Sequence, residues 1–110
     1  MKALRAANVE RQKEWDTHGA LTLEFYGVEL AGEVGEACNI IKKLARTRLG
    51  IRGSQATLKE LADELADVVI CADLVALSAG IDLNAALIRK FNATSQKYRL
   101  KTTMQEEDER

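Results

Sequence analysis

Two segments, Glu29-Leu30-Ala31-Gly32-Glu33-Val34-Gly35-Glu36-Ala37 and Glu60-Leu61-Ala62-Asp63-Glu64-Leu65-Ala66-Asp67-Val68, carry acids at i, i+4 and i+7 in nearly the same letters. A helix turns by about 100° per residue, so each segment projects a column of carboxylates from one side. Carboxylate oxygens suit hard cations. Magnesium takes oxygen ligands in octahedral geometry, keeps several waters, and usually binds through one or two carboxylates plus substrate phosphates. Glu33 with Glu36, and Glu64 with Asp67, stand three residues apart on one helical face, so each pair can reach a common ion. Two antiparallel helices would then combine four acids. Without a cation, that many partly buried carboxylates repel one another and are poorly solvated. An ordinary surface stripe would interleave Lys or Arg, and at i+4 and i+7 neither copy does so.

These acids need rigid elements to position them, and the chain reads as helix throughout. It has no proline, and its strongest breaks are Gly19, Gly50-Ile51-Arg52-Gly53-Ser54 and Gly80. The breaks divide it into helices over about Ala3 to Asp16, Leu21 to Arg48, Thr57 to Ser78, and Leu83 to Lys97. Strand-like alternation is missing. The first helix offers Leu4, Ala7 and Trp15 for burial. The second carries the stripe Leu30, Val34, Ala37, Ile41 and Leu44, and the third carries Leu61, Leu65, Val68, Ala72 and Val75, each bordering its acids. The fourth is expected to bury Ala86, Leu87, Ile88 and Phe91. Thr57-Leu58-Lys59-Glu60 has the form of a capping box, which explains Glu60 without a metal. Glu29 is left unassigned. Gly32 and Gly35 each cost a helix about 0.5 to 1 kcal/mol relative to alanine. The compensation is either close approach of another backbone or room for an ion, its waters or a ligand.

The chain has 110 residues, 46% hydrophobic and 30% charged, with a net charge of −1. That fits a single domain over 1–110 with an acidic, disordered tail over 102–110. A domain this small leaves much of its surface in water and gains from association, so an oligomer is expected. The balanced charge offers no basic face for DNA or RNA. Cys38 and Cys71 sit in apolar helical stretches without zinc-like spacing, which suits a reduced cytoplasmic protein. No apolar run approaches the roughly 20 residues that span a bilayer, so no membrane partner is expected. Di-iron chemistry would call for Glu-x-x-His motifs, and the single histidine, His18, lies outside both columns. There is no phosphate-binding Gly-x-x-x-x-Gly-Lys-Ser/Thr loop and no nucleophile motif.

Glu33-x-x-Glu36, followed by Glu64-x-x-Asp67 within Glu-Leu-Ala-Asp-Val-Val, resembles the signature of the MazG-like nucleoside triphosphate pyrophosphohydrolases, part of the all-α NTP pyrophosphatase group. The resemblance runs from about Trp15 to Lys97, through Asn39-Ile40-Ile41-Lys42-Lys43-Leu44, Gly80-Ile81-Asp82-Leu83 and Lys90-Phe91-Asn92. It implies an all-α, four-helix bundle-like protomer that forms a homodimer or homotetramer. It also implies magnesium, with manganese as the alternative ion, held by Glu33, Glu36, Glu64 and Asp67. The implied reaction splits a nucleoside triphosphate between its α and β phosphates, giving a monophosphate and pyrophosphate. The family's first motif commonly opens with two adjacent glutamates, and Gly32 stands where the first would be. The resemblance therefore does not say which carboxylate orients the attacking water.

Candidate substrate-binding residues are Trp15, Asn39, Lys43, Lys90 and Asn92. Lys43 lies at the edge of the acidic wedge one turn beyond Asn39, so both can face a phosphate chain, and Lys90 and Asn92 come from the family-like fourth helix. Trp15, the single tryptophan, stands outside the apolar stripes and either stacks on a base or packs at an interface. Arg46, Arg48 and Arg52 make the loop before the third helix basic, either steering a triphosphate or balancing the acidic helices. The alternative function is a non-catalytic helical module that binds a nucleotide or cation with the same acids.

Overall fold

The computed structural model describes residues 1–106. Its helices are α1 (Lys2–Trp15), α2 (Leu23–Arg48), α3 (Leu58–Ser78) and α4 (Leu83–Lys97), and no strand occurs among the described residues. Side chains set the starts. The Asp16 carboxylate accepts from the N–H groups of Ala20 and Leu21 at 2.9 Å each, which holds that stretch in a turn. Consequently α2 begins two residues later than the apolar pattern suggests, with Thr22 as its cap. Thr57 and Glu60 form the expected capping box, both of its bonds 3.1 Å long. At the end of α3, Gly80 takes φ +70°, and the Ile81 N–H reaches back to the Ala76 carbonyl at 2.8 Å. That closure requires a left-handed residue, which glycine supplies without strain.

The main packing in the protein is α2 against α3. Cys71 donates its thiol to the Tyr26 carbonyl at 3.7 Å, so the start of α2 lies beside the second half of α3 and the two helices run antiparallel. The seam on α2 consists of Tyr26, Leu30, Glu33, Ala37, Ile40 and Leu44, all buried or half-buried and spaced alternately four and three apart. On α3 it consists of Leu61, Glu64, Val68, Cys71 and Val75. The stripes read from the sequence are therefore rotated: Val34, Ile41 and Leu65 are exposed. Apolar content alone favours those three, whereas the actual contact face runs through an acid on each helix. Glu33 and Glu64 lie inside the seam and do not merely border it.

A different bond holds α1. Its burial candidates were Leu4, Ala7 and Trp15, yet Leu4 is only half-buried, Ala7 is exposed and Trp15 is 75% exposed. The buried residue is Asn8, 2% exposed, against Asp73 of α3, 1% exposed. Asp73 accepts from Arg5 Nε at 3.1 and 3.2 Å and from Asn8 Nδ2 at 3.0 Å. Arg5 also donates to the Ile81 carbonyl at 2.7 Å, and Asn8 to the Ile70 carbonyl at 3.3 Å. A buried carboxylate must be paired and hydrogen-bonded, and here the pairing doubles as the clasp between α1 and the core hairpin.

α4 packs chiefly on α3, so the helices gather around α3 without closing a compact four-helix bundle. Leu87 and Phe91, expected in the core, are exposed for that reason, while Ala86 and Ile88 are half-buried. The sequence predicts a frayed tail from Thr102, but Asn92 pairs with the Met104 backbone, accepting from its N–H at 2.6 Å and donating to its carbonyl at 3.0 Å. Residues 107–110 of that expected tail lie outside the described residues. The radius of gyration is 17.2 Å, against about 13 Å for a compact chain of this length. No helix among the described residues is long and apolar enough to cross a membrane.

Replacing Asp73 with alanine strands the Asn8 amide and leaves the partly buried Arg5 unpaired. A loss of about 3 kcal/mol is expected in urea unfolding. An unchanged midpoint would show that α1 is held by something other than this clasp.

Candidate functional site

The seam brings Glu33 and Glu64 face to face, and Asp67, one turn beyond Glu64, joins them. One oxygen from each of these three acids lies within 4.8 Å of the others. Glu33 Oε2 and Glu64 Oε2 are buried and accept no hydrogen bond. Native proteins seldom leave buried carboxylate oxygens unpaired, so two in one place single out this part of the seam as a candidate site. Burial holds the Glu33 carboxyl above its ordinary value of 4.5, and the charges of Glu36 and Asp67 push it further in the same direction. Burial likewise raises Glu64, with Glu36 next in importance because it is close enough to share a proton. Hence the fourth predicted acid, Glu36, is exposed at the edge of the cluster but acts on both seam glutamates. Three carboxylates converge, and a hard cation is the ligand that such a donor set fits.

Beside the acids opens a cleft of about 280 Å³. Its walls are Arg11, Gln12 and Trp15 from α1, Leu21, Phe25, Tyr26, Glu29 and Glu33 from the α2 side, and Asp67, Ile70, Cys71 and Leu74 from α3. It is therefore aromatic in one part and acidic in another. Phe25 and Tyr26 stand edge to face with ring centres 5.7 Å apart, and Gln12 donates its amide to the Tyr26 hydroxyl. Burial raises the Cys71 thiol, and the nearby Glu29, Glu33 and Asp67 raise it further, so it stays protonated and unreactive. A shallower cleft along Phe25, Val28, Glu29, Gly32, Glu33 and Glu36 lies on the outer side of the same acids.

The other predicted residues distribute unequally. Trp15 lines the larger cleft with most of its indole exposed, and Glu29, unassigned by sequence, lines both clefts. A side chain added at Gly32 or Gly35 would meet nothing within 4 Å, so no backbone of this protomer approaches them and the space is open. Asn39 is exposed and Lys43 half-buried on α2 beyond Glu36, and neither lines either cleft. Lys90 borders a separate apolar groove with Leu87, Phe91 and Leu100, and the Asn92 amide is occupied by Met104. The structure does not bring these two to the acids. His18 is exposed in the turn before α2, and Arg46 turns back onto the Ser54 carbonyl at 3.4 Å beneath Gly53.

Arg11, Gln12, Phe25 and Tyr26 are cleft residues that the sequence reading passed over. The signal was present: Tyr26 precedes Glu33 by seven residues on the seam, and Arg11 precedes Trp15 by four on α1. The chain matches no protein-family model, no curated protein and no solved structure.

The raised carboxyls carry a pH signature. Each binds its proton more tightly folded than unfolded, so its contribution to stability is greatest below 4.5 and is lost as pH rises through the raised folded value. In chelator, the melting temperature of the wild type should therefore fall relative to Glu64→Gln over that interval. Magnesium at neutral pH should recover the difference for the wild type only. Parallel profiles for the two proteins would show that the glutamates are not under strain.

Proposed function

We propose that this chain is a magnesium-dependent, MazG-like nucleoside triphosphate pyrophosphohydrolase that clears non-standard or surplus (deoxy)nucleotides in the cytoplasm. The supporting observation is the pair of buried glutamate oxygens without a hydrogen bond at the seam, one of them on Glu33, which together with Asp67 lines a cleft that also offers aromatic walls. Structural acids are normally given partners, as Asp73 is, and these two are not.

In this reading Glu33, Glu64 and Asp67 hold the metal, which when bound neutralises phosphate charge and makes a coordinated water more acidic. Glu36 completes the acidic set from the exposed edge, where it accepts a proton from solvent-side chemistry without being locked in the seam. The carboxylates keep the negatively charged phosphates off the helix surface unless cations lie between, which couples substrate entry to metal loading. Trp15 and the Phe25 and Tyr26 rings accommodate the base. Asn39 and Lys43, further along α2, meet the distal phosphates. Lys90 stands away from this cleft and has no role at it, and Asn92 secures Met104 and takes no part.

The proposal includes a homodimer or homotetramer. The protomer exposes 8340 Å², roughly 2,000 Å² more than the ~6,000 Å² of a compact monomer of its mass. A standard interface buries about 800 Å² of each partner, so the excess corresponds to one large interface or two standard ones, for which the uncovered faces around Val34, Ile41, Leu65, Val69, Leu87 and Phe91 are available.

With magnesium, the wild type should release pyrophosphate from some members of a nucleotide panel. Glu64→Gln should lower that rate beyond the roughly 10- to 100-fold loss typical of groups that only support a metal's ligands. The same variant should melt no lower than the wild type in chelator, because it removes a like charge from the seam. Nucleotide binding without turnover by the wild type would favour the non-catalytic module. Sedimentation equilibrium should give a dimer or tetramer, and a monomer at micromolar concentration would end the assembly claim.

A further inference from the structure

The cleft that carries the aromatic walls also contains one cation. Arg11 lines the same cleft as Glu29, Glu33 and Asp67, yet among the described residues it forms no hydrogen bond or ion pair. Arg5 is bound to Asp73 and Ile81 and Arg46 to Ser54, so of the arginines near a cleft wall on α1 Arg11 is the one open to a ligand. Arg11 stands one turn before Trp15 on α1, so its guanidinium and the exposed indole share one helical face. Next to it, Gln12 spends its amide N–H on the Tyr26 hydroxyl, which leaves its carbonyl oxygen as a free acceptor in the same wall.

We propose that Arg11 and Gln12 read the edge of a nucleobase stacked on Trp15, selecting guanine or cytosine over adenine and thymine. This rests on the nucleotide reading of the site. A guanidinium offers two parallel N–H donors in a fixed fork, which match two adjacent acceptors and nothing else. Guanine presents N7, O6 and then N1–H along one edge, and cytosine presents O2, N3 and then the N4 amino group. Both read acceptor, acceptor, donor. Arg11 satisfies the acceptor pair, and the Gln12 oxygen takes the donor. Adenine presents its N6 amino group between two acceptors, and thymine presents N3–H between two carbonyls, so either base would place a donor against the guanidinium. A cleft of about 280 Å³ is near the lower limit of small-molecule sites, a size that suits the base and sugar of one nucleotide.

The test uses the full chain with magnesium and four probes, dGTP, dCTP, dATP and dTTP. Trp15 is the single tryptophan, so its fluorescence reports base stacking directly and needs no turnover. The wild type should bind and hydrolyse dGTP or dCTP in preference to dATP and dTTP. Arg11→Gln should weaken binding of the preferred nucleotide roughly 10- to 100-fold and leave dATP within about threefold, since glutamine matches the adenine edge. Arg11 is exposed, and an unchanged circular dichroism spectrum would confirm that the variant folds. An equal loss on all four probes would overturn the proposal by assigning Arg11 to the phosphates, and so would no change on any of them. Base-selective quenching without pyrophosphate release would uphold it while removing the hydrolase reading.

Discussion

Two glutamates opposed in the contact face of the main helix pair set the terms for the rest of this molecule. Glu33 and Glu64 occupy positions of the α2 and α3 seam where an apolar residue would add to the core, and each keeps a buried oxygen without a donor. Their repulsion opposes the packing that brings them together. The surrounding seam, with Tyr26, Ala37, Ile40 and Cys71 buried, holds them close in spite of it. Strain of this kind is characteristic of functional sites, where stability is given up for preorganised charge. In the proposed reading a divalent cation would turn the same arrangement from destabilising to stabilising, which would link metal binding to folding stability.

The second constraint is the Asp73 clasp. α1 has little apolar surface to bury, and its attachment depends on Arg5 and Asn8 reaching one carboxylate in the middle of α3. This bond brings the far end of α1, with Arg11, Gln12 and Trp15, alongside the acids. Without it the cleft loses one wall. The two acids on α3 therefore differ in kind: Asp73 is fully partnered and builds the scaffold, whereas Glu64 keeps a buried oxygen without a hydrogen bond.

The helical class, the four elements and the capping role of Glu60 were legible because each has a local cause in periodicity, glycine placement or cap chemistry. The acidic face of each helix was legible too, since spacing along a helix dictates which acids share a face, but of the four acids expected together Glu33, Glu64 and Asp67 converge and Glu36 stays at the exposed edge. The rotation of the seam was not. Counting apolar residues favoured Val34, Ile41 and Leu65, and only the register between α2 and α3 shows that Glu33 and Glu64 replace them at the contact. Burial of Asn8 ahead of Leu4 and Ala7 depends on a partner 65 residues away, which no local window contains. The exposure of Leu87 and Phe91 has a third origin, because α4 packs chiefly on α3 and an apolar stripe on a helix does not say which part of it a neighbouring helix covers.

Mn²⁺ binding followed by electron paramagnetic resonance is the most direct measurement of the central claim, that the opposed glutamates form a cation site. The wild type should titrate at least one Mn²⁺ per chain, displaceable by magnesium, and Glu33→Gln with Glu64→Gln should abolish that site while the helical content stays intact. Equal Mn²⁺ binding by the wild type and the double variant, or none by either, would contradict the account.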